Sequence, residues 1–312
     1  MINQLFKITL CASPLIFGFF FFQKQPVLSD SYIGKDISSI LAIMPKEDRE
    51  KLDFFFREYF NDDCFKYVLL GEKPMALGVL VKKINPFTCL WDKEIEKANE
   101  NNLYKPKIHE KFLYYLQVAM SKSRLKSIRC YETWKKYEKF FPMSQFTFLY
   151  KNKRHLGMDR LMIALVNNRA FTQKMEQHLE DFKAVFHHEM SGKNFLCNPQ
   201  FFEVLMNHDG LFGTMLGFGR DNAFLFYQRA NLKSNQEREA FCEHHHFDFV
   251  WNGEEVAGFR QQSIYPPCFM GNITSAETQS LRKQYLETTQ TIIECYKDKD
   301  FLETTLRLLT AS

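Results

Sequence analysis

The sequence contains no CxxC pair: its eight cysteines, at positions 11, 64, 89, 130, 197, 242, 268 and 295, stand singly. That spacing argues against zinc ribbons and thioredoxin-type redox sites, and it is too sparse for a small disulfide scaffold. One or two bridges between distant cysteines stay open for an exported chain. A Gly-Lys-Ser/Thr phosphate loop and a Gly-x-Ser-x-Gly nucleophile elbow are both missing, so the local signatures of P-loop and α/β-hydrolase chemistry are not there. Surplus charge is missing too, since 41 basic against 37 acidic residues leave only +4. The basic side chains are scattered instead of forming a stripe, and no nucleic-acid partner is expected. Repeats and low-complexity segments are lacking as well.

Aromatic carbon is what the chain has in excess. With 33 Phe and 13 Tyr in 312 residues, the interior is expected to be built on large rings that each bury much area. The length allows one large domain or two closely packed ones. No linker-like stretch forces a boundary, so a single body over 30–312 is expected.

The uncharged run from Leu10 to Phe22 follows Lys7 and precedes Lys24. It is shorter than the roughly 20 apolar residues a membrane span needs and matches the apolar centre of a secretory signal. Residues 1–29 are therefore expected to be a signal peptide, with small residues around Val27-Leu28-Ser29 for cleavage, or an uncleaved signal anchor. Cys11 lies at the start of the apolar run instead of after it, which argues against lipid attachment there.

Periodicity organises the rest. Pro45-Lys46-Glu47-Asp48 marks a helix start, followed by the stripe Leu52, Phe55, Phe56, Tyr59 and Phe60. The stretch Phe65 to Val81, around Gly71-Glu72-Lys73-Pro74, predicts a hairpin or strand pair. Helices are expected over Lys107–Met120 and Tyr131–Phe141, and strands over Phe146–Tyr150 and Leu161–Val166. A helix with the stripe Phe171, Met175, Phe182 and Phe186 should follow. Two carboxyl-terminal helices carry capping-box patterns, Thr274 with Glu277 and Asp300 with Glu303. The fold class predicted is α+β, a mainly helical body with a small mixed β-sheet.

Two constellations could carry chemistry. Gly210 to Ala223 holds four glycines, and Gly217, Gly219, Arg220 and Asn222 are its candidate ligand-binding residues: glycine lets backbone approach a ligand, and a helix start can hold an anion beside an arginine. The dinucleotide fingerprint would need a preceding strand and a glycine where Asn222 stands. The competing and favoured reading is a helix-turn-helix corner whose glycines permit close packing. The second constellation is Cys242, His244, His246 and Asp248, whose side-chain types suit zinc. Cys242 with His246 and His244 with Asp248 meet the i, i+4 condition only if a helix runs that far, and Phe247–Trp251 reads as strand. No cofactor is expected, zinc being the alternative.

Phe65-x-Tyr67 with Leu70 to Met75, Val166 to Phe171, Leu216 to Ala223, and Glu277-Thr278 through Leu281 to Tyr285 with Asp300-Phe301-Leu302 resemble a family of uncharacterised proteins of chlamydia-like intracellular bacteria. The family often shows Asn-Lys where this chain has Asn168-Arg169. The resemblance carries no activity, but such proteins often begin with an apolar export-type segment. Together these readings make a non-catalytic, exported or cell-envelope-associated binding protein, with a protein or membrane partner, the leading expectation. A metal- or phosphate-dependent enzyme using the histidine region or the glycine corner is the alternative.

Overall fold

In a computed structural model, residues 30–62, 64–84, 122–155, 158–186, 199–262 and 264–311 are described. The expected targeting segment, the Lys107–Met120 helix and His187-His188 lie outside them. Among the described residues no helix is long and apolar enough to cross a membrane.

Helix α1 (Ile37–Ile43) leads to α2 (Lys46–Arg57), which starts directly after Pro45 and continues as a π-helical turn, Glu58–Asp62. The expected stripe is buried throughout, from Leu52 to Phe60. The next stretch departs from the sequence reading: Phe65–Leu70 is helix α3, not the first arm of a hairpin, and only Met75–Ile84 is a strand, β1. Phe65 to Leu69 are buried on every side, so no alternation distinguishes helix from strand in so short an apolar run. Cys64, in a left-handed conformation at φ 63°, starts the helix.

After α4 (Lys122–Tyr137) come β2 (Phe146–His155) and β3 (Met158–Asn167). They form a sheet of order β1-β3-β2, antiparallel throughout, with Met75 opposite Val166 and Phe146 opposite Asn167. The central strand is apolar on both faces because both are covered. Leu161, Ile163 and Leu165 enter one core, shared with α1, α2 and α4, while Ala164 and Val166 enter a second. Trp134 is the hub of the first: its ring lies 5.0 Å from Phe56 and 5.5 Å from Phe148, and its indole N–H donates to Tyr150 Oη at 2.8 Å.

The second core packs the sheet against α5 (Asn168–Gln177), α6 (Leu179–Phe186), α7 (Pro199–Met206) and α8 (Asp209–Met215). The single helix expected over Phe171–Phe186 is two, broken at His178, yet all four stripe residues are buried. Next come α9 (Arg220–Ala230), α10 (Asn235–His244), β4 (Phe247–Phe249), α11 (Gly253–Gln262) and β5 (Met270–Asn272), with β4 and β5 paired antiparallel. The long α12 (Ala276–Tyr296) and α13 (Phe301–Thr310) close the chain. A third core, with Tyr67, Trp251, Phe269 and Tyr285, fixes α12 against α3. The architecture is α+β and mainly helical, with two small sheets. The α12 cap is Ser275, whose hydroxyl accepts from the Thr278 amide, one residue later than the Thr274 pattern suggests. Asp300 caps α13 as expected, accepting from the Glu303 amide at 2.8 Å.

Candidate functional site

The α8–α9 corner is built from its glycines. Gly217 and Gly219 have φ of +79° and +87°, a region that side chains strain to enter. Gly213 lets the two helices close: a Cβ there would lie 2.9 Å from the Ala223 Cβ. Such a corner leaves the last carbonyls of α8 and the first amides of α9 without helical partners, and distant side chains supply them. Lys73 Nζ donates to the Leu216 carbonyl, Tyr285 Oη to the Gly217 carbonyl at 2.5 Å, and Asn222 Nδ2 to the Phe218 carbonyl at 3.1 Å. The amides of Arg220 and Asn222 donate to the Glu277 carboxylate at 2.8 and 3.2 Å, with that of Asp221 at 3.5 Å. Glu277 thus caps α9 from another helix and does not complete a box at the start of its own.

This geometry divides the four residues singled out in the sequence. Asn222 is buried, and besides the Phe218 carbonyl its side chain bonds Thr278 Oγ1 at 2.9 Å and accepts from the Asn272 amide at 2.9 Å. Arg220 holds Asp181 with two bonds, 2.6 and 2.9 Å, and that pairing keeps the Asp181 carboxyl below its usual range. The position an anion would take at the α9 N-terminus is held by the protein's own carboxylate. Gly217 and Gly219, by contrast, line an open cleft of about 300 Å³.

Two helices face each other across that cleft. Gln173 and Gln177 project from α5 one turn apart, and Ser280 and Gln284 do so from α12. Pro74, Ala170 and Leu281 supply an apolar floor next to Tyr285. Thr214, Lys174, Glu72 and Glu277 also line it; Lys174 bonds Gln177 at 3.0 Å, and Arg169 lies 3.9 Å from Glu72. Beneath the turn, burial lowers the Lys73 ammonium to about 8 and raises the Tyr285 hydroxyl well above its usual value. Lys73 sits 5.0 Å from the Phe218 ring centroid, a cation–π contact that offsets part of its lost hydration.

The histidine constellation is arranged differently from a helical ligand pair. Helix α10 ends at His244, His246 has a left-handed φ of 47°, and Asp248 is already in β4. Neither i, i+4 pair therefore shares a helix. Cys242 Sγ accepts from Arg229 Nε at 3.1 Å. Among the described residues no group of three or more His, Cys, Asp or Glu side chains is placed to hold a metal. Cys130, Cys242, Cys268 and Cys295 are unbridged thiols.

Sequence reasoning missed Lys73, Tyr285, Glu277 and the glutamines. Each acts at a distance of dozens of residues, and only the glycines advertise the corner locally. No protein-family model, no curated protein and no solved structure matches this chain.

Proposed function

We propose that this protein is a non-catalytic binding protein, exported or held at a membrane through its apolar amino-terminal segment, that takes an uncharged polar molecule into the cleft beside the glycine corner. The observation that carries the reading is the lining: amides of Gln173, Gln177 and Gln284 and the Ser280 hydroxyl, presented by two helices above an apolar floor. Amides and hydroxyls bond a ligand without exchanging protons near neutral pH, and two lining carboxylates are offset by Lys174 and the nearby Arg169. Such a set suits a molecule rich in hydroxyl or amide groups with an apolar face, such as a sugar or an N-acetylated amino sugar, and the volume suits one of monosaccharide size. The resemblance to uncharacterised proteins of chlamydia-like bacteria that often begin with an apolar export-type segment, and the Leu10–Phe22 run, support the address.

Thermal-shift titration of the full chain with monosaccharides, N-acetylated amino sugars and polyols tests the ligand class. A saturable shift lost in Gln173→Leu/Gln284→Leu is expected; no shift across the whole panel overturns it. Cell fractionation tests the address separately, and recovery of the wild type solely in the cytosol overturns that part.

A further inference from the structure

A second cleft, of about 360 Å³, opens on a different face of the same corner, where Gly213, Leu216 and Phe218 take the place of Gly217 and Gly219. Its walls are rings: Phe212 from α8, Phe226 from α9, Phe249 from β4, and Phe269 preceding β5. Phe218 and Phe269 stack with centroids 5.2 Å apart. Asn222, one of its few polar lining residues, has both ends of its amide bonded within the protein, to Phe218 and Thr278 on one side and Asn272 on the other. That amide therefore asks a ligand for no hydrogen bond. Two rings stand in water at its edge, Phe226 at 41% and Phe249 at 59% exposure. The volume falls within the usual range for small-molecule pockets, and the wall is fixed by the six side-chain bonds that lock the corner, so little ordering cost falls on a ligand.

Charge narrows the occupant. Asp209, exposed at the start of α8, is the one charged residue lining the cleft among the described residues. A carboxylate beside an apolar cavity favours a cationic head group and opposes an anionic one.

We propose that this cleft binds a small apolar molecule bearing a neutral or cationic group and disfavours fatty-acid-like anions. The site is separate from the polar cleft, so either assignment can fail alone.

The neutral fluorescent probe N-phenyl-1-naphthylamine, titrated into the purified full chain, tests it. Saturable enhancement is expected, weakened at least about tenfold in Phe226→Ser/Phe249→Ser, two changes at exposed positions. Because Cys268 lines the cleft and is exposed, saturating probe should also slow its alkylation by iodoacetamide in the wild type. Peptide mass spectrometry reads this without any variant. Decylamine should displace the probe at least about tenfold more effectively than decanoate, and Asp209→Asn should narrow that ratio. Probe binding that does not saturate, or that leaves both the double variant and Cys268 alkylation unaffected, overturns the site. Equal displacement by decanoate and decylamine overturns the charge preference.

Discussion

Replacing Glu277 with alanine removes the shared acceptor of three consecutive amides at the start of α9. Arg220 and Asn222, at 2.8 and 3.2 Å, are at normal bonding distance, and Asp221 at 3.5 Å is marginal, so two bonds carry the effect. Hydrogen bonds to charged groups contribute roughly 1.5–3 kcal/mol each. Water replaces part of that at a half-buried end, leaving a loss of about 3 kcal/mol. For a body of this size that is a fall in Tm of roughly 5 °C, measured by differential scanning calorimetry. Glu277→Gln keeps a neutral acceptor and should lose about half as much. The decisive arm is rescue: with the carboxylate gone, a bare helix N-terminus stands beside the Arg220 guanidinium, an arrangement that attracts anions. Acetate or sulfate should therefore raise the Tm of Glu277→Ala by several degrees more than that of the wild type at matched ionic strength. A fall of less than about 2 °C, or an equal response of both proteins to the anions, would refute the capping role.

Two further outcomes concern the buried lysines and the glycines of positive φ. Lys73 and Lys66 are buried to 3% and 7% exposure, and burial lowers both from 10.5 to about 8. The folded protein therefore binds fewer protons than the unfolded chain between those values, so this contribution is full above 10.5 and is lost as pH falls through 8. At 1.36 kcal/mol per unit the cost at neutral pH is about 3 kcal/mol for Lys73. The urea midpoint should rise from pH 7.5 to 9, where the tyrosines of the unfolded chain are still mostly protonated. Lys73→Met should be more stable at pH 7 by about 2 kcal/mol, after allowing about 1 kcal/mol for its lost bond to the Leu216 carbonyl, and should show a smaller rise; a slope identical to the wild type would contradict this. Gly219→Ala and Gly34→Ala separate strain from collision, because both positions have positive φ, but a Cβ at Gly219 would lie 2.5 Å from Glu277 Oε2 whereas Gly34 has nothing within 4 Å. Gly34→Ala should cost about 1 kcal/mol and Gly219→Ala about 3 kcal/mol or more in denaturant unfolding; equal losses would mean that Glu277 yields freely.

What could be read in the sequence was whatever a short window determines. The stripe from Leu52 to Phe60 repeats at the helical period, and burial follows it even where the backbone loosens into a π turn. Asp300 and Glu303 announce a cap of which the Asp300 half forms, while the Glu303 carboxylate bonds Ser38 and Arg307 instead of closing the box. Phe65–Leu70 was illegible because an element buried from Phe65 to Leu69, Lys66 included, has no solvated face to reveal its period. Thr274 and Glu277 matched a local motif whose members act elsewhere: Ser275 takes the cap, and Glu277 reaches a helix 57 residues earlier. Gly217 and Gly219 could be recognised as turn-formers, but the glutamines lining the cleft beside them could not. Their meeting depends on α5 and α12, which only the tertiary packing brings together. Lys73 shows the same limit, since a lysine in a turn-like Gly-Glu-Lys-Pro stretch reads as solvated.

The locking of the corner also has a consequence in time. Glu277 and Tyr285 follow their partners Arg220 and Gly217 by 57 and 68 residues, while Lys73 precedes Leu216 by 143. In a chain made from its amino terminus, the α8–α9 turn therefore emerges with only Lys73 and its own Asn222 available. Its amides and its central carbonyl must wait in water until α12 is synthesised. Both clefts share that turn as a wall, so neither has its final shape before α12 docks. An unfinished or arrested chain would expose Phe212, Phe218 and Phe226 without the β4–β5 segment that flanks them, the kind of apolar surface on which chaperones act.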